Sequence, residues 1–311
     1  MTPSFDIASY LDKLTPDAPQ HAKGLTIIPL LSTTLSRFRY KSLKDALSKG
    51  SLEVSEVSES GSVPNLLVIN NGDLPVLIID GEELTGAKQN RILNTSIMVD
   101  ARGKLVVPVS CTEAGRWSYK SEKFGDSGFV APPSVRERQK ESVSYSLSNR
   151  MDFASDQGAV WDSISMMHMR MDTSSKTQAM RDFVDERQVD IKDITSKFSL
   201  VEGQIGLIAV GRGGFVAIDV VSRPEVYADL HEKLVLSYAT EALSWKGQSE
   251  VEEIALDGQV DAFLKNVRAG KSERFKSPGM GMDHRVATEQ GAGSALDVEE
   301  EVVHFSVVTR L

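Results

Sequence analysis

Four short runs of strand-forming residues lie between positions 65 and 111 in two pairs, NLLVI with PVLIID and RILNTSIMV with KLVVPVSC, each pair joined by turn sequence. Runs spaced this closely read as a succession of antiparallel hairpins. Asn71-Gly72 between the first two tolerates the positive φ angles of a tight hairpin turn, and Asp100-Ala101-Arg102-Gly103 joins the last two. Setting Val99 opposite Lys104 makes partner numbers sum to 203, which places Asn90 opposite Glu113, Ile92 opposite Cys111 and Asn94 opposite Val109. Side-chain alternation then puts Asn90, Asn94, Cys111 and Glu113 on one face of this pair and Arg91 on the other.

The flanking sequence predicts a mixture of helices and further strands. Apolar spacing predicts a short helix over 4–14. A strand follows over 25–31, then a helix over 42–48 capped by Ser42 and ended at Gly50, and a strand over 52–57. Residues 118–133 read as a Gly, Ser and Pro-rich loop that flanks the polar block described below. Helices are expected over 134–149, 157–171 and 175–196. GLIAV and FVAIDVV form a hairpin about Gly211-Arg212-Gly213-Gly214, and a helix over 224–243 has Pro224 in its first turn. A short helix over 259–268 and strands near 272–277, 284–288 and 301–309 complete the chain. This order lacks regular β-α-β alternation, so it predicts an α+β protein. Its sheets are mainly antiparallel, or a sandwich, with a central helical region and peripheral helices. A single domain over 1–311 is expected, with β-rich halves at about 20–117 and 200–311 joined by a helical region at about 134–198.

At 311 residues with 41% hydrophobic and 25% charged residues, the chain can bury a substantial core without covalent staples. One cysteine allows neither an internal disulfide nor a cysteine-based zinc site, and the five histidines show no metal-binding spacing. No metal and no cofactor are therefore implied. The first twenty residues lack a basic segment followed by an apolar run, so neither a signal peptide nor a membrane anchor is expected, and the cytoplasm is the default location. A net charge of −9 argues against extended nucleic acid as a partner but leaves room for a local pocket for one small anion. The oligomeric state stays open.

The stretch from Gly81 to Trp117 is denser in polar side chains than a structural hairpin needs. Glu82, Glu83 and Glu113 are the candidate acid and base groups, since glycosidic hydrolysis commonly uses two carboxylates held in different protonation states. Gln89, Asn90, Arg91 and Asn94 offer donors and acceptors for a ribose or pyrophosphate, and Arg116 and Trp117 can hold an anion and stack a planar ring. Each has a structural alternative: Glu82 and Glu83 capping a turn, Glu113 paired with Arg91 or Arg116, the amides satisfying backbone, Trp117 in the core. Cys111 reads as a small buried residue, His304 as a structural histidine able to reach the site from another strand, and the Met166, Met167, Met169 and Met171 cluster as core filling.

DGEELTGAKQNRILNTS followed by VPVSCTEAGRW resembles the signature of a prokaryotic family named for association with ADP-ribosylglycohydrolases and rhodanese-type phosphatases. The resemblance continues through GQIGLIAVGRGGFVAIDVVSRPEVYADLHEKLVLSYATEAL and GSALDVEEEVVHFSVV, and so covers most of the chain. It implies a role in NAD or ADP-ribose metabolism, with a small nucleotide-derived ligand as the partner. Hydrolysis or glycosyl transfer, non-catalytic sensing, and a structural or assembly role all remain open at this point.

Overall fold

The computed structural model describes residues 5–34, 36–58, 64–245 and 253–309. From the N-terminus come α1 (Ile7–Leu11), β1 (Leu14–Pro16), β2 (Gln20–Ala22), β3 (Leu25–Ser32), β4 (Lys41–Ser42), α2 (Leu43–Ser48) and β5 (Leu52–Glu56). Seven strands follow: β6 (Asn65–Asn70), β7 (Val76–Ile78), β8 (Glu82–Gly86), β9 (Arg91–Leu93), β10 (Ile97–Val99), β11 (Lys104–Cys111) and β12 (Phe124–Val130). The helices α3 (Pro133–Ser148), α4 (Gln157–Met171), α5 (Met180–Glu186) and α6 (Gln188–Thr195) lead to β13 (Gly206–Gly211) and β14 (Val216–Val221). The chain continues through α7 (Pro224–Ser244), α8 (Glu253–Arg268), β15 (Lys271–Lys276), β16 (Met282–Ala287), β17 (Gly291–Val298) and β18 (Glu301–Thr309). The protein is α+β, with mostly antiparallel sheets.

Nine strands drawn from both ends of the chain make one large sheet in the order β1-β3-β13-β14-β18-β17-β16-β15, with β2 on β3. One face carries Ile28, Ile208, Ile218 and Phe305 and packs on Ile7 and Leu11 of α1 and Phe263 and Val267 of α8. The other carries Ile27, Leu207 and Ala217 and packs on α4 to α7. A second sheet of six strands, β12-β8-β9-β11-β6-β5, curls around its own core of Val54, Val68, Leu84, Leu93 and Val109. Its two edges approach each other, because Ser55 of β5 bridges to Lys123 beside β12. A three-stranded sheet, β10-β7-β4, completes the architecture. Among the described residues, no helix is long and apolar enough to cross a membrane.

Several sequence expectations are corrected. β6 and β7 do not form a hairpin: both edges of β6 are occupied by β5 and β11, while β7 joins β10 and β4. Asn70 explains the redirection, since its side chain accepts from Gly72 N and donates to Leu74 O and Asp100 O, closing a wider loop. The run from 91 to 99 breaks at Asn94, Thr95 and Ser96 into β9 and β10, which lie in different sheets. Only β9 pairs with β11, and its partners sum to 202, with Arg91 opposite Cys111. This one-residue shift reverses the expected division of faces. The expected loop over 118–133 contains β12, and the Gly, Ala and Ser-rich β17 was missed. The helix expected over 4–14 shortens to α1, its residue 4 lying outside the described residues, and the one over 175–196 divides into α5 and α6. Met167 and Met171 are core, whereas Met166 and Met169 are exposed.

Helix α3 fixes the large sheet to the curled one. Asp219, Ser306, Ser294 and Arg285 lie directly opposite one another across β14, β18, β17 and β16, forming a buried polar row. Beyond them stands Glu273 of β15. The α3 side chains follow this row: Arg136 bonds Asp219 and Ser306, Lys140 bonds Ser294, and Ser148 bonds Glu273. The twelve-residue rise from Arg136 to Ser148, about 18 Å, matches four inter-strand spacings, about 19 Å. The same helix grips Asp80 beside β8, with Lys140 Nζ at 2.7 Å. Gly81, at φ +78°, lets the chain pass close to Arg136, whose Cγ would lie 2.9 Å from any added Cβ. Replacing Arg136 by Met strands Asp219 and should lower the unfolding free energy by about 3–5 kcal/mol. Denaturant titration checks this against Arg102→Ala at an exposed pair with Asp73, for which no measurable change is expected.

Candidate functional site

In an antiparallel sheet successive strands reverse, so the ends of β5, β11 and β8 and the starts of β6, β9 and β12 gather at one end of the curled sheet. The inward-facing residues nearest that end include Glu56, Cys111 and Arg91, following the register Glu56 with Leu66, Leu66 with Val107, and Cys111 with Arg91. Arg91 is fully buried. Its Nη1 donates to Gln89 Oε1 at 3.0 Å and to Asn90 O at 3.4 Å. Among the described residues, Nε and Nη2 have no hydrogen-bond partner. These two atoms form the side-on edge of the guanidinium, the fork that matches two oxygens of a carboxylate or phosphate.

Cys111 donates from Sγ to Gln89 Oε1 at 3.3 Å. Burial pushes its thiol up, against the opposing effect of the Arg91 charge, so it is a weak source of thiolate. Glu56, 9% exposed, acts electrostatically on both Arg91 and Cys111. At the rim, Trp117 is 49% exposed, with Arg91 Cζ 5.9 Å and Lys88 Nζ 5.3 Å from its ring centroid. Lys88 lies equally over Tyr119, 5.1 Å away.

Arg116 differs from Arg91 in having all five of its donors engaged. Nε meets Glu113 Oε2 at 2.7 Å, Nη1 reaches Ala87 O and Ser118 O, and Nη2 reaches Gly86 O and Asn90 Oδ1. Glu113 also accepts from Thr177 Oγ1, and its backbone carbonyl accepts from Gln89 Nε2. The Glu113–Arg116 pair thus fastens the β8–β9 turn to the end of β11. Gly86 in that turn has φ +130°, and an added Cβ there would meet Lys123 O at 2.7 Å.

The remaining sequence candidates point elsewhere. Glu82 pairs with Lys233 of α7 at 2.7 Å, and Lys233 also meets Asp126 at 2.7 Å. Desolvation raises the Glu82 carboxyl, opposed by Lys233. Glu83 lies opposite Ile92, one residue out of phase with the Leu84–Arg91 pair, and so faces away from the Arg91 fork. It accepts from Thr112 Oγ1 at 3.0 Å, and desolvation pushes its carboxyl up to about 7. Asn94 donates to Phe153 O and accepts from Ser110 Oγ and Gln139 Nε2, beneath α3. Gln89, Asn90, Arg91, Arg116, Trp117 and Glu113 therefore gather at one end of the sheet, whereas Glu82, Glu83 and Asn94 do not join them.

His304 and Arg285 belong to the α3 cluster and not to the Arg91 end. His304 Nδ1 lies 2.7 Å from Ser96 Oγ, and its ring stands between Asp80 and Asp219, 3.7 Å from each. Arg285 pairs with Asp283 and donates to Thr95 Oγ1 at 2.6 Å. Against their own desolvation, Asp80 is held well below the usual carboxylate range by Lys140, Arg136 and His304, and Asp219 by Arg136 and His304. Lys140 falls to about 8, because desolvation outweighs the attraction of Asp80. Glu56 and, apart from His304, the α3 cluster have no place among the sequence expectations. For Glu56 a signal was present: Leu52, Val54 and Glu56 alternate onto one face, which puts a carboxylate in a row of core positions.

No curated protein and no solved structure matches the chain. A family model, the ARG and Rhodanese-Phosphatase-superfamily-associated Protein domain, matches residues 13–308. The Arg91 end, the α3 clamp and every described element except α1 and the last residue of β18 fall within that span, and the chain belongs to this family.

Proposed function

We propose that the chain binds an ADP-ribose-like, nucleotide-derived ligand at the Arg91 end of the curled sheet. The observation that carries this reading is the fully buried guanidinium of Arg91, whose Nε and Nη2 fork has no hydrogen-bond partner among the described residues. A phosphate or pyrophosphate supplies two oxygens to that fork. The half-exposed face of Trp117 offers a stacking surface for a base, and Gln89 orients the guanidinium from behind. The family name adds its association with ADP-ribosylglycohydrolases. The 117–123 segment packs against the β8–β9 turn beside this end. It is tethered there by Lys120 N to Ala87 O at 2.9 Å and by Ala87 N to Ser121 Oγ at 3.1 Å.

The distribution of carboxylates favours binding over turnover. An acid and base pair must flank the scissile bond. Glu83 faces away from the fork, Glu82 is engaged by Lys233, Glu113 is engaged by Arg116 and Thr177, and Glu56, whose oxygens have no hydrogen-bond partner among the described residues, is one carboxylate where a pair is needed. A ligand-sensing module is accordingly the reading best supported.

Titration calorimetry with ADP-ribose should show binding to the wild-type chain. Arg91→Lys, which keeps the charge but removes the fork, should weaken it at least tenfold, and Trp117→Ala should weaken it by about 1–2 kcal/mol, within the range of a base–aromatic stack. Absence of heat from ADP-ribose, NAD and related nucleotides on folded protein would remove this reading.

Glu83 generates a separate expectation. Its folded carboxyl titrates near 7 against an ordinary value of 4.5, so the folded state holds the proton more tightly than the unfolded chain. The resulting stabilisation is complete below about 4.5 and is lost as pH rises through about 7, a fall of up to about 3 kcal/mol. Glu83→Gln should flatten the stability profile between pH 5 and 8, measured by denaturant unfolding at each pH. An unchanged slope would show that Glu83 does not titrate there.

A further inference from the structure

Two opposite charges are buried at the same end of the curled sheet without meeting. Both carboxylate oxygens of Glu56 lack a hydrogen-bond partner among the described residues, as do Nε and Nη2 of Arg91. Both side chains are at least nine-tenths buried and they interact electrostatically, yet no hydrogen bond joins them. Unsatisfied buried charges of this kind are costly, and each keeps a strong demand for a partner. A ligand presenting an anion on one side and hydrogen-bond donors on the other would meet both demands. Inorganic phosphate would satisfy Arg91 alone and would be repelled by Glu56.

We infer that Glu56 is a specificity determinant for ligands whose phosphate is carried on a ribose, its carboxylate accepting ribose hydroxyls while the Arg91 fork takes phosphate oxygens. This rests on the reading of the Arg91 end as a ligand site. An ionised carboxylate is an acceptor only, so it suits a vicinal diol and opposes a second anion. Strand alternation supplies the placement: Leu52 and Val54 bury on the curled core, and Glu56 is the next inward position, at the same end as Arg91. Trp117 at the rim favours a ribose that bears a base over a compact zwitterion such as an amino acid.

The test is calorimetry on the full chain with ribose 5-phosphate and inorganic phosphate as probes. Wild type should bind ribose 5-phosphate at least tenfold tighter than phosphate, and 2-deoxyribose 5-phosphate at least threefold more weakly than ribose 5-phosphate, a comparison that needs no variant. In Glu56→Gln, ribose 5-phosphate should lose at least threefold while phosphate binds as well or better, because a repelling charge is gone. Equal binding of the two probes by wild type, or a shift of both in the same direction in Glu56→Gln, overturns the inference. So does displacement of ribose 5-phosphate by glycine. If those results appear while wild type still binds ADP-ribose, only the selection by Glu56 fails. If wild type binds neither ADP-ribose nor the phosphate probes, the ligand site itself fails.

Discussion

The bidentate ion pair between Arg136 and Asp219 is the interaction on which the rest of the arrangement depends. It is fully buried, with Arg136 Nη1 and Nη2 at 2.8 and 2.7 Å from the two Asp219 oxygens and Tyr238 donating its hydroxyl to the same carboxylate. A buried charge pair is tolerated only when its remaining donors and acceptors are met. Here Ser306 and Asp80 take further Arg136 donors, and Lys140 completes Asp80. Because Asp219 belongs to the large sheet and Asp80 to the segment leading into β8, one helix holds both sheets in a fixed relation. The register of β8 against β9, and through it the inward orientation of Arg91, is anchored by that helix at the Asp80 end.

Local chemistry was well written in the sequence wherever one element decided its own structure. Ser42 caps α2 by accepting from Asp45 N at 3.0 Å, Pro224 opens α7, and β13 pairs with β14 about the glycine turn. The misreadings share a cause, which is competition between strands for edges. Asn71-Gly72 suits a hairpin, but β11 and β5 offer β6 two longer partners, and no local rule records that competition. The break at Asn94 to Ser96 is likewise dictated from afar: Asn94 is drawn to α3, Thr95 to Asp283 and Ser96 to His304 and Asp80. These three polar residues inside an apolar run were visible, but the partners that bend the chain are up to 208 positions away.

The candidate site was legible as a region and not as a geometry. Density of polar residues singles out 81–117, yet that density mixes three jobs. Glu82, Glu83 and Asn94 serve contacts with α7, Thr112 and α3, while Glu113 and Arg116 brace a turn. Only the corrected register, with Arg91 opposite Cys111, placed Arg91 inside the curled sheet, on the side where Glu56 enters from β5.

The two arginines of this region show why composition alone could not rank them. Both are buried, both lie near Glu113, and both have the donor geometry for phosphate. Arg116 meets three backbone carbonyls, one amide oxygen and one carboxylate, so an anion could bind it only by displacing contacts that hold the turn together. Among the described residues, Arg91 bonds through Nη1 alone. A buried cation with an idle fork is destabilising in isolation, whereas filling that fork converts the same group into a strong charge-assisted contact. The difference between a bracing arginine and a binding one therefore lies in which donors remain, and that is a property of the assembled sheet.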